Sequence, residues 1–270
     1  MFEFHADLAR YFEMNVSNSR EFIVPFINNV LQLKPGMRVL DIGCGEGGVV
    51  KPLLDMGLKA VGVELNPERI KDAEKFLEQH FKAGNISFVS KDIYTPGIEQ
   101  EWGGGKFDLI ILKDVIEHVL DQEKLIAHLQ VLLKDDGAIF FGFPPWQMPY
   151  GGHQQLLKNK YLSKIPYYHL LPMGIYRRIM AAANEDVQNM TEIKQVGISI
   201  ERFENIVNRT GYKVLNKKHY LLNPIYRYKF GWRPKEQFAL LAGIPWVRNF
   251  FTTCVYYLIG KKDSRKVHNS

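Results

Sequence analysis

The segment Val39-Leu40-Asp41-Ile42-Gly43-Cys44-Gly45-Glu46-Gly47-Gly48 holds the residues whose types and spacing first suggest chemistry. A short apolar run enters a glycine-rich turn, and such a turn lets backbone N–H groups approach a ligand closely. Gly43, Gly45 and Gly48 satisfy GxGxxG, a pattern that by itself fits any nucleotide-like ligand. Glu64 follows Gly43 by 21 residues, the distance at which an acid closing a second strand reaches a ribose diol. Two ligands then compete: a dinucleotide with its pyrophosphate against the loop, or an adenosyl ligand without phosphate. Asp41 decides between them. A carboxylate two residues ahead of the first glycine repels a pyrophosphate but suits the ammonium and sulfonium charges of S-adenosylmethionine.

This segment resembles the first motif of the class I S-adenosylmethionine-dependent methyltransferases, hydrophobic-Leu-Asp-x-Gly-x-Gly, and the resemblance continues in order over residues 36–143. Val61-Gly62-Val63-Glu64-Leu65-Asn66 is similar to the second motif and Ser90-Lys91-Asp92-Ile93 to the third. Residues 107–119, with Lys113, Asp114, Glu117 and His118, look like the fourth, and residues 132–140 like the approach to strand five. The resemblance implies a Rossmann-like fold and an enzyme that consumes S-adenosylmethionine and releases S-adenosylhomocysteine. It implies a cofactor site with Asp41, Gly43, Cys44 and Gly45 in the loop and Glu64 on both ribose hydroxyls. The resemblance further implies that Asp92 faces the adenine amino group and the Ile93 backbone the ring edge, with Leu65 and Lys113 also in the cofactor site. Taken singly, Asp92 also fits a plain turn and Glu64 a helix start.

Ligands of open α/β sheets lie beyond the carboxyl ends of the strands, which selects Lys113, Asp114, Glu117, His118, Trp146 and His153 for the acceptor side. Positioning a nucleophile in line with the methyl group supplies much of the rate. His153, in Pro-Tyr-Gly-Gly-His-Gln-Gln, is the candidate general base for a hydroxyl acceptor, and Asp114 the second catalytic candidate. Trp146, His118 and Tyr150 are candidates for holding the acceptor. Asp114, Glu117 and His118 stand at i, i+3 and i+4, so with His153 they offer oxygen and imidazole to a divalent ion. Some ubiquinone-pathway and small-RNA 2′-O-methyltransferases carry a similar Glu-x-x-Glu-His with a distant His and use Mg²⁺ or a related ion. Here Asp114 replaces the first Glu, so no metal is assigned and Mg²⁺ stays an alternative. Pro144-Pro145-Trp146 lacks the Asn of the Asn-Pro-Pro-Tyr signature of amino-directed nucleic-acid methyltransferases and follows strand five, so it is not that motif.

Five apolar runs position these residues: 38–42, 60–64, 86–90, 107–112 and 138–143, each closed by a turn or polar residue. Helical stretches alternate with them at 47–56, 67–81 and 121–134, and a leading helix is expected over 19–33. Such alternation means a mostly parallel sheet with helices on both faces. Ser199 caps a helix to about residue 210, and 212–222 and 254–260 are closing strands, giving seven in all. Between strands five and six, residues 144–198 carry five prolines and eight Tyr, Trp and His residues. This segment is expected to be a substrate cap inserted into a methyltransferase domain of residues 1–143 and 199–270. Its aromatics suit a flat or lipid-like acceptor, and Tyr11, Phe12 and Arg20 of the leading segment are placed to close over the cofactor.

The chain has 270 residues with 46% hydrophobic and 24% charged, which excludes collagen-like, low-complexity and largely disordered classes. Two cysteines make no disulfide framework and no zinc spacing, and the start of the chain is broken by acids as no secretion signal is, so a cytoplasmic home is expected. No apolar tract reaches the length of a spanning helix. The net charge of +6 is uneven: residues 201–270 hold 14 Lys and Arg against 4 Asp and Glu. Clusters such as Lys217, Lys218 and Arg227, Lys229, Arg233, Lys235 are a solvated face or meet phosphates or anionic lipid. The expected function is methyl transfer to a small molecule at oxygen, with nucleic acid not the partner. The alternatives are an RNA 2′-O-methyltransferase using a divalent metal, and a non-catalytic adenosyl-ligand or NAD-binding module. Residues 240–246 with Phe250 and Phe251 also suggest peripheral contact with a membrane.

Overall fold

The computed structural model describes residues 7–262. One sheet runs through it, formed by β1 (Arg38–Ile42), β2 (Lys59–Val63), β3 (Ile86–Val89), β4 (Phe107–Lys113), β5 (Leu133–Phe143), β6 (Tyr212–Leu222), β7 (Lys235–Glu236) and β8 (Cys254–Lys261). The order is β3-β2-β1-β4-β5-β8-β6-β7. The first five strands are parallel, and β8 is antiparallel to β5 on one side and β6 on the other. The count is eight rather than the expected seven. The extra strand, β7, is a two-residue edge paired to Tyr220 and Leu222, and its exposed Lys235 and Glu236 carry no apolar alternation to read.

Period-two alternation splits the core between the two faces of the sheet. Leu40, Ile42, Ile110, Leu112, Ile139 and Phe141 face one side, where the helices Gln122–Leu132 and Ile200–Arg209 bury their apolar stripes. Val39, Leu109, Ile111, Ala138 and Phe140 face the other, under the N-terminal helices. Ser199 caps Ile200–Arg209 as expected, its hydroxyl accepting the Arg202 N–H at 3.1 Å.

Three helical expectations change. The leading helix begins at Leu8, capped by the Asp7 carboxylate on the Arg10 N–H, passes through a π turn at Ser19–Ile23 and ends at Asn28. Its apolar Phe12, Met14 and Val16 are buried, which draws residues 8–18 into the fold. The helix expected over 67–81 is two, Pro67–Phe76 and Glu78–Lys82, because buried Leu77 leaves helical geometry at φ −108°, ψ 23°. The helix expected over 47–56 shrinks to Lys51–Asp55, since Gly47 sits at φ +80°. Strand five also starts earlier than expected, at Leu133, across an irregular register opposite Phe107–Leu109. Residues 144–198 hold short 3-10 turns and the helices Met173–Ala182 and Val187–Val196, with a small core of Leu157, Tyr168, Tyr176, Met180 and Met190.

The chain leaves β1 toward β2 and β3 on one side, while β4 and β5 build out on the other. The reversal opens a crevice at the carboxyl ends of β1 and β4, the place where such sheets bind ligands.

Candidate functional site

Gly43 and Gly45 turn the chain at the end of β1 with φ +69° and +54°, a region where side chains are strained. The Gly43 and Cys44 N–H groups donate to the Val63 carbonyl at 2.7 and 3.2 Å, which ties the loop to β2. A Cβ on Gly43 would stand 2.6 Å from Val115 Cγ2, so the loops after β1 and β4 touch here and leave no space for a side chain.

Under this loop Asp41 is 2% exposed, and its Oδ2 has no hydrogen-bond partner. Burial raises its pKa to about 8, with Lys113 opposing the shift and Glu64 adding to it. A cation placed against Oδ2 would satisfy the orphaned oxygen and ionise it.

Glu64 is fully engaged. Its Oε1 accepts from the Asn66 N–H at 3.0 Å, and its Oε2 from the Gly45 N–H at 3.1 Å and from Arg69 Nη1 at 3.3 Å. Arg69 also forks onto both oxygens of buried Glu46, at 2.9 and 3.1 Å. The guanidinium lies where a Cβ on Gly45 would project, 2.3 Å from that point. Arg69 was not among the expected site residues, although it stands five residues after Glu64 in the first turn of the following helix. Asp92 is exposed and accepts the Tyr94 N–H at 2.9 Å, Ile93 is buried, and Leu65 is 69% exposed.

Across the crevice, Lys113 pairs with Asp114, whose backbone adopts φ +56° and whose N–H donates to the Gly142 carbonyl at 2.7 Å. Desolvation works against ionised Asp114, but the Lys113 charge and hydrogen bond hold its carboxyl below the ordinary range. Glu117 behaves oppositely: burial and then the Asp114 charge push its carboxyl well up, and its Oε2 has no partner. The His118 and His153 rings meet edge to face at 4.8 Å. Burial, then His118, lowers His153 to about 4, and burial lowers His118, so both are neutral at pH 7. Among the described residues no three His, Cys, Asp or Glu side chains are grouped to hold a metal ion.

Distant segments complete this side. Burial and the Lys113 charge lower Lys229, while Asp114 raises it. The Tyr226 phenol is raised to about 12 by burial, by Cys254 and by Asp114. Tyr11 of the leading helix is within electrostatic reach of both Arg69 and Lys113. No local pattern marks Tyr226 or Lys229, because more than a hundred residues separate them from Asp114. Arg20 points elsewhere, pairing with Asp55 at 3.2 Å on the surface. Trp146 packs over Gly197 and edge-on to His169, and Tyr150 is 45% exposed with its hydroxyl on the Lys164 carbonyl at 3.4 Å. Thus the structure gathers Asp41, the glycine loop and Glu64 on one wall, and Lys113, Asp114, His118 and His153 on the other.

A family model described as a methyltransferase domain matches residues 16–216. Among curated proteins, the ubiquinone biosynthesis O-methyltransferase of Rhizobium johnstonii is 32% identical over 105 residues, 39% of this chain and 40% of the relative. The mitochondrial ubiquinone biosynthesis O-methyltransferase of Bos taurus is 34% identical over 130 residues, 43% of this chain and 34% of that protein. The chain thus spans less than half the length of these relatives. Of solved structures, an S-adenosylmethionine-dependent methyltransferase from Clostridium acetobutylicum superposes with a TM-score of 0.55 at 15% identity, over 92% of each chain.

Proposed function

Because the chain belongs to the methyltransferase-domain family and has the Rossmann-like fold of class I S-adenosylmethionine-dependent methyltransferases, we propose that it methylates an oxygen of a small-molecule acceptor with S-adenosylmethionine as donor. The observation that carries this reading is the buried, unpartnered carboxyl of Asp41 under a loop with two glycines at positive φ. It is a ready place for a cationic, phosphate-free ligand and a poor one for a pyrophosphate.

In this reading Asp41, with the backbone of Gly43, Cys44 and Gly45, holds the charged amino-acid end of the cofactor. Glu64 takes the ribose hydroxyls, exchanging Arg69 for them, and Leu65, Asp92 and Ile93 border the adenine. The cofactor supplies an electrophilic methyl carbon on a sulfonium. The chain's own work is to place an acceptor oxygen in line with that carbon beyond β4, where Lys113 borders the cofactor. His153, neutral above about pH 4, is available to take the hydroxyl proton at its unprotonated nitrogen, and Asp114 stands by to favour the imidazolium that results. His118, Trp146 and Tyr150 belong to the acceptor side, and residues 144–198 form the cap that selects the acceptor.

Oxygen as the acceptor atom is supported by the neutral imidazoles at the carboxyl end of the sheet and by the two O-methyltransferase relatives. A thermal-shift comparison tests the cofactor: S-adenosylmethionine and S-adenosylhomocysteine raise the melting point and NAD does not. Stabilisation by NAD alone overturns the reading. Release of S-adenosylhomocysteine with phenolic acceptors, and none with amines or RNA, tests the acceptor atom.

A further inference from the structure

The surface opposite in character to this site is the excursion between β6 and β8. Of the 23 large hydrophobic side chains exposed among the described residues, nine lie within residues 230–251. They include two of the chain's four tryptophans, Trp232 and Trp246, at 52% and 61% exposure, and Leu240 at 81%. Isolated exposed hydrophobics need no explanation, but such a density marks an interaction surface.

The structure holds this surface out deliberately. Trp246 has φ +66°, a strained value for a bulky residue, and its backbone N–H is pinned by Glu201 Oε1 at 2.8 Å. The same carboxylate accepts from Arg248 Nε at 2.8 Å and Asn249 Nδ2 at 2.6 Å, while Arg248 Nη2 reaches Glu204, which also takes the Tyr257 hydroxyl of β8. Gln237 Nε2 closes the excursion onto the Arg248 carbonyl at 2.9 Å. A polar network anchored in the sheet therefore fixes a strained turn whose result is an indole in solvent.

Within residues 223–252 the charge is one-sided. Residues 223–252 hold five Lys and Arg and a single acid, Glu236, and of these Arg227, Arg233 and Lys235 are exposed, Arg227 pairing with Glu21 and Lys235 lying over the Phe238 ring at 4.5 Å. Beside Trp246 lies a depression of about 310 Å³ that Arg202, Asn205, Asn208 and Arg209 also line, with Arg209 paired to Glu123 at 2.8 Å and Arg202 exposed. Tyr167, from the other side, packs on Phe250 and donates its hydroxyl to the Phe250 carbonyl at 3.3 Å, and residues 154–184 carry five Lys and Arg and no acid.

We propose that this face docks the protein peripherally on a membrane surface of anionic lipid, with Leu240 and Trp246 entering the headgroup region and Arg202, Arg233 and Lys235 meeting phosphates. Aromatic side chains with one wet edge suit that layer, and basic residues suit its potential. The family match ends at residue 216, ahead of the exposed apolar residues 230–251 of this face. Its position is apt for delivering an apolar acceptor: Tyr226, which feels Asp114, continues through Phe230 to exposed Trp232 with ring centroids 5.4 and 5.2 Å apart. No helix among the described residues is long and apolar enough to cross a membrane, so the contact is a surface one.

Co-sedimentation of the whole protein with vesicles tests this, using phosphatidylcholine alone and equimolar phosphatidylcholine and phosphatidylglycerol. Binding is expected to the anionic vesicles, weakened by salt, with a blue shift of tryptophan emission. Leu240→Ala with Trp246→Ala should lower partitioning at least roughly tenfold, and Arg233→Glu with Lys235→Glu should remove the preference for anionic lipid. Melting point and S-adenosylmethionine affinity should stay unchanged in both variants, which separates this result from any failure of the methyl-transfer reading. Absence of vesicle binding, equal binding to both vesicle types, or undiminished binding by the Leu240/Trp246 variant overturns the proposal. So does a concentration-dependent dimer that the same variant abolishes without any vesicle binding, which would make the face a self-interface.

Discussion

The two walls of the crevice are built in different ways. The β1–β2 wall is local: strand, glycine turn and helix follow one another, and Glu64 reaches the Gly45 N–H across 19 residues. The β4–β5 wall is assembled from three remote pieces, with Asp114 on one, His153 on a second, and Tyr226 and Lys229 on a third. A ligand common to a family can be held by contiguous backbone geometry. A ligand peculiar to one protein is met by segments that only the completed fold brings together.

The sharpest break of this comparison comes from the remote wall. His153→Ala should lower kcat roughly 10²-fold to 10⁴-fold if the imidazole takes the acceptor proton, with S-adenosylmethionine affinity unchanged by calorimetry. Loss of affinity instead would make the two walls one unit. From the local wall, Glu64→Ala should weaken S-adenosylmethionine roughly 10-fold to 100-fold, as for loss of a charged hydrogen-bond acceptor, and leave the acceptor KM alone. An unchanged Kd in a folded variant removes Glu64 from the ribose.

Gly43→Ala should lower stability by about 1–2 kcal/mol from the left-handed backbone alone, and more from its clash with Val115. Val115→Ala should recover part of the lost melting temperature, and no recovery would mean the loops do not meet as described.

The smallest effect per step is a pH dependence. Asp41 is raised from 3.8 to about 8, so the folded, unliganded protein retains a proton that the unfolded chain releases. Its contribution to unliganded stability is therefore full below pH 3.8 and is lost as pH climbs to about 8. A cationic ligand needs the ionised form, so affinity should rise by at most about tenfold per pH unit from pH 6 and level off near 8. Titration calorimetry in buffers of different ionisation enthalpy reads the released proton directly. Asp41→Asn should flatten the profile.

The contrast between the walls also sorts what could be read from the chain. The strand cores at 38–42, 86–89 and 254–260 stand within a residue of where apolar runs placed them, because period-two alternation is a local signal. The structure brings Asp41, Gly43, Gly45 and Glu64 together where the strand and glycine pattern put them, because that pattern too is local. Arg69 was not legible, since a surface-type residue in a first helical turn looks identical whether it faces solvent or two carboxylates. The break at Leu77 and the early start at Leu8 follow from burial against partners far along the chain. Asp114 was singled out as a carboxylate, but its pairing with Lys113, which holds it below the ordinary range while burial pushes Glu117 up, depends on the completed fold.

The insertion of β8 between β5 and β6 sets a schedule for folding. β1, β2 and β4 find both of their neighbours before the chain reaches residue 144, whereas one edge of β5 waits for Cys254–Lys261, and β6 joins the sheet only through β8. On the ribosome the β5 edge over residues 137–143, all buried in the finished fold, stays uncovered for more than a hundred residues of synthesis. The half proposed to hold the cofactor can therefore condense early, while the long-range closure by β8 governs the slow phase and the interval of greatest aggregation risk.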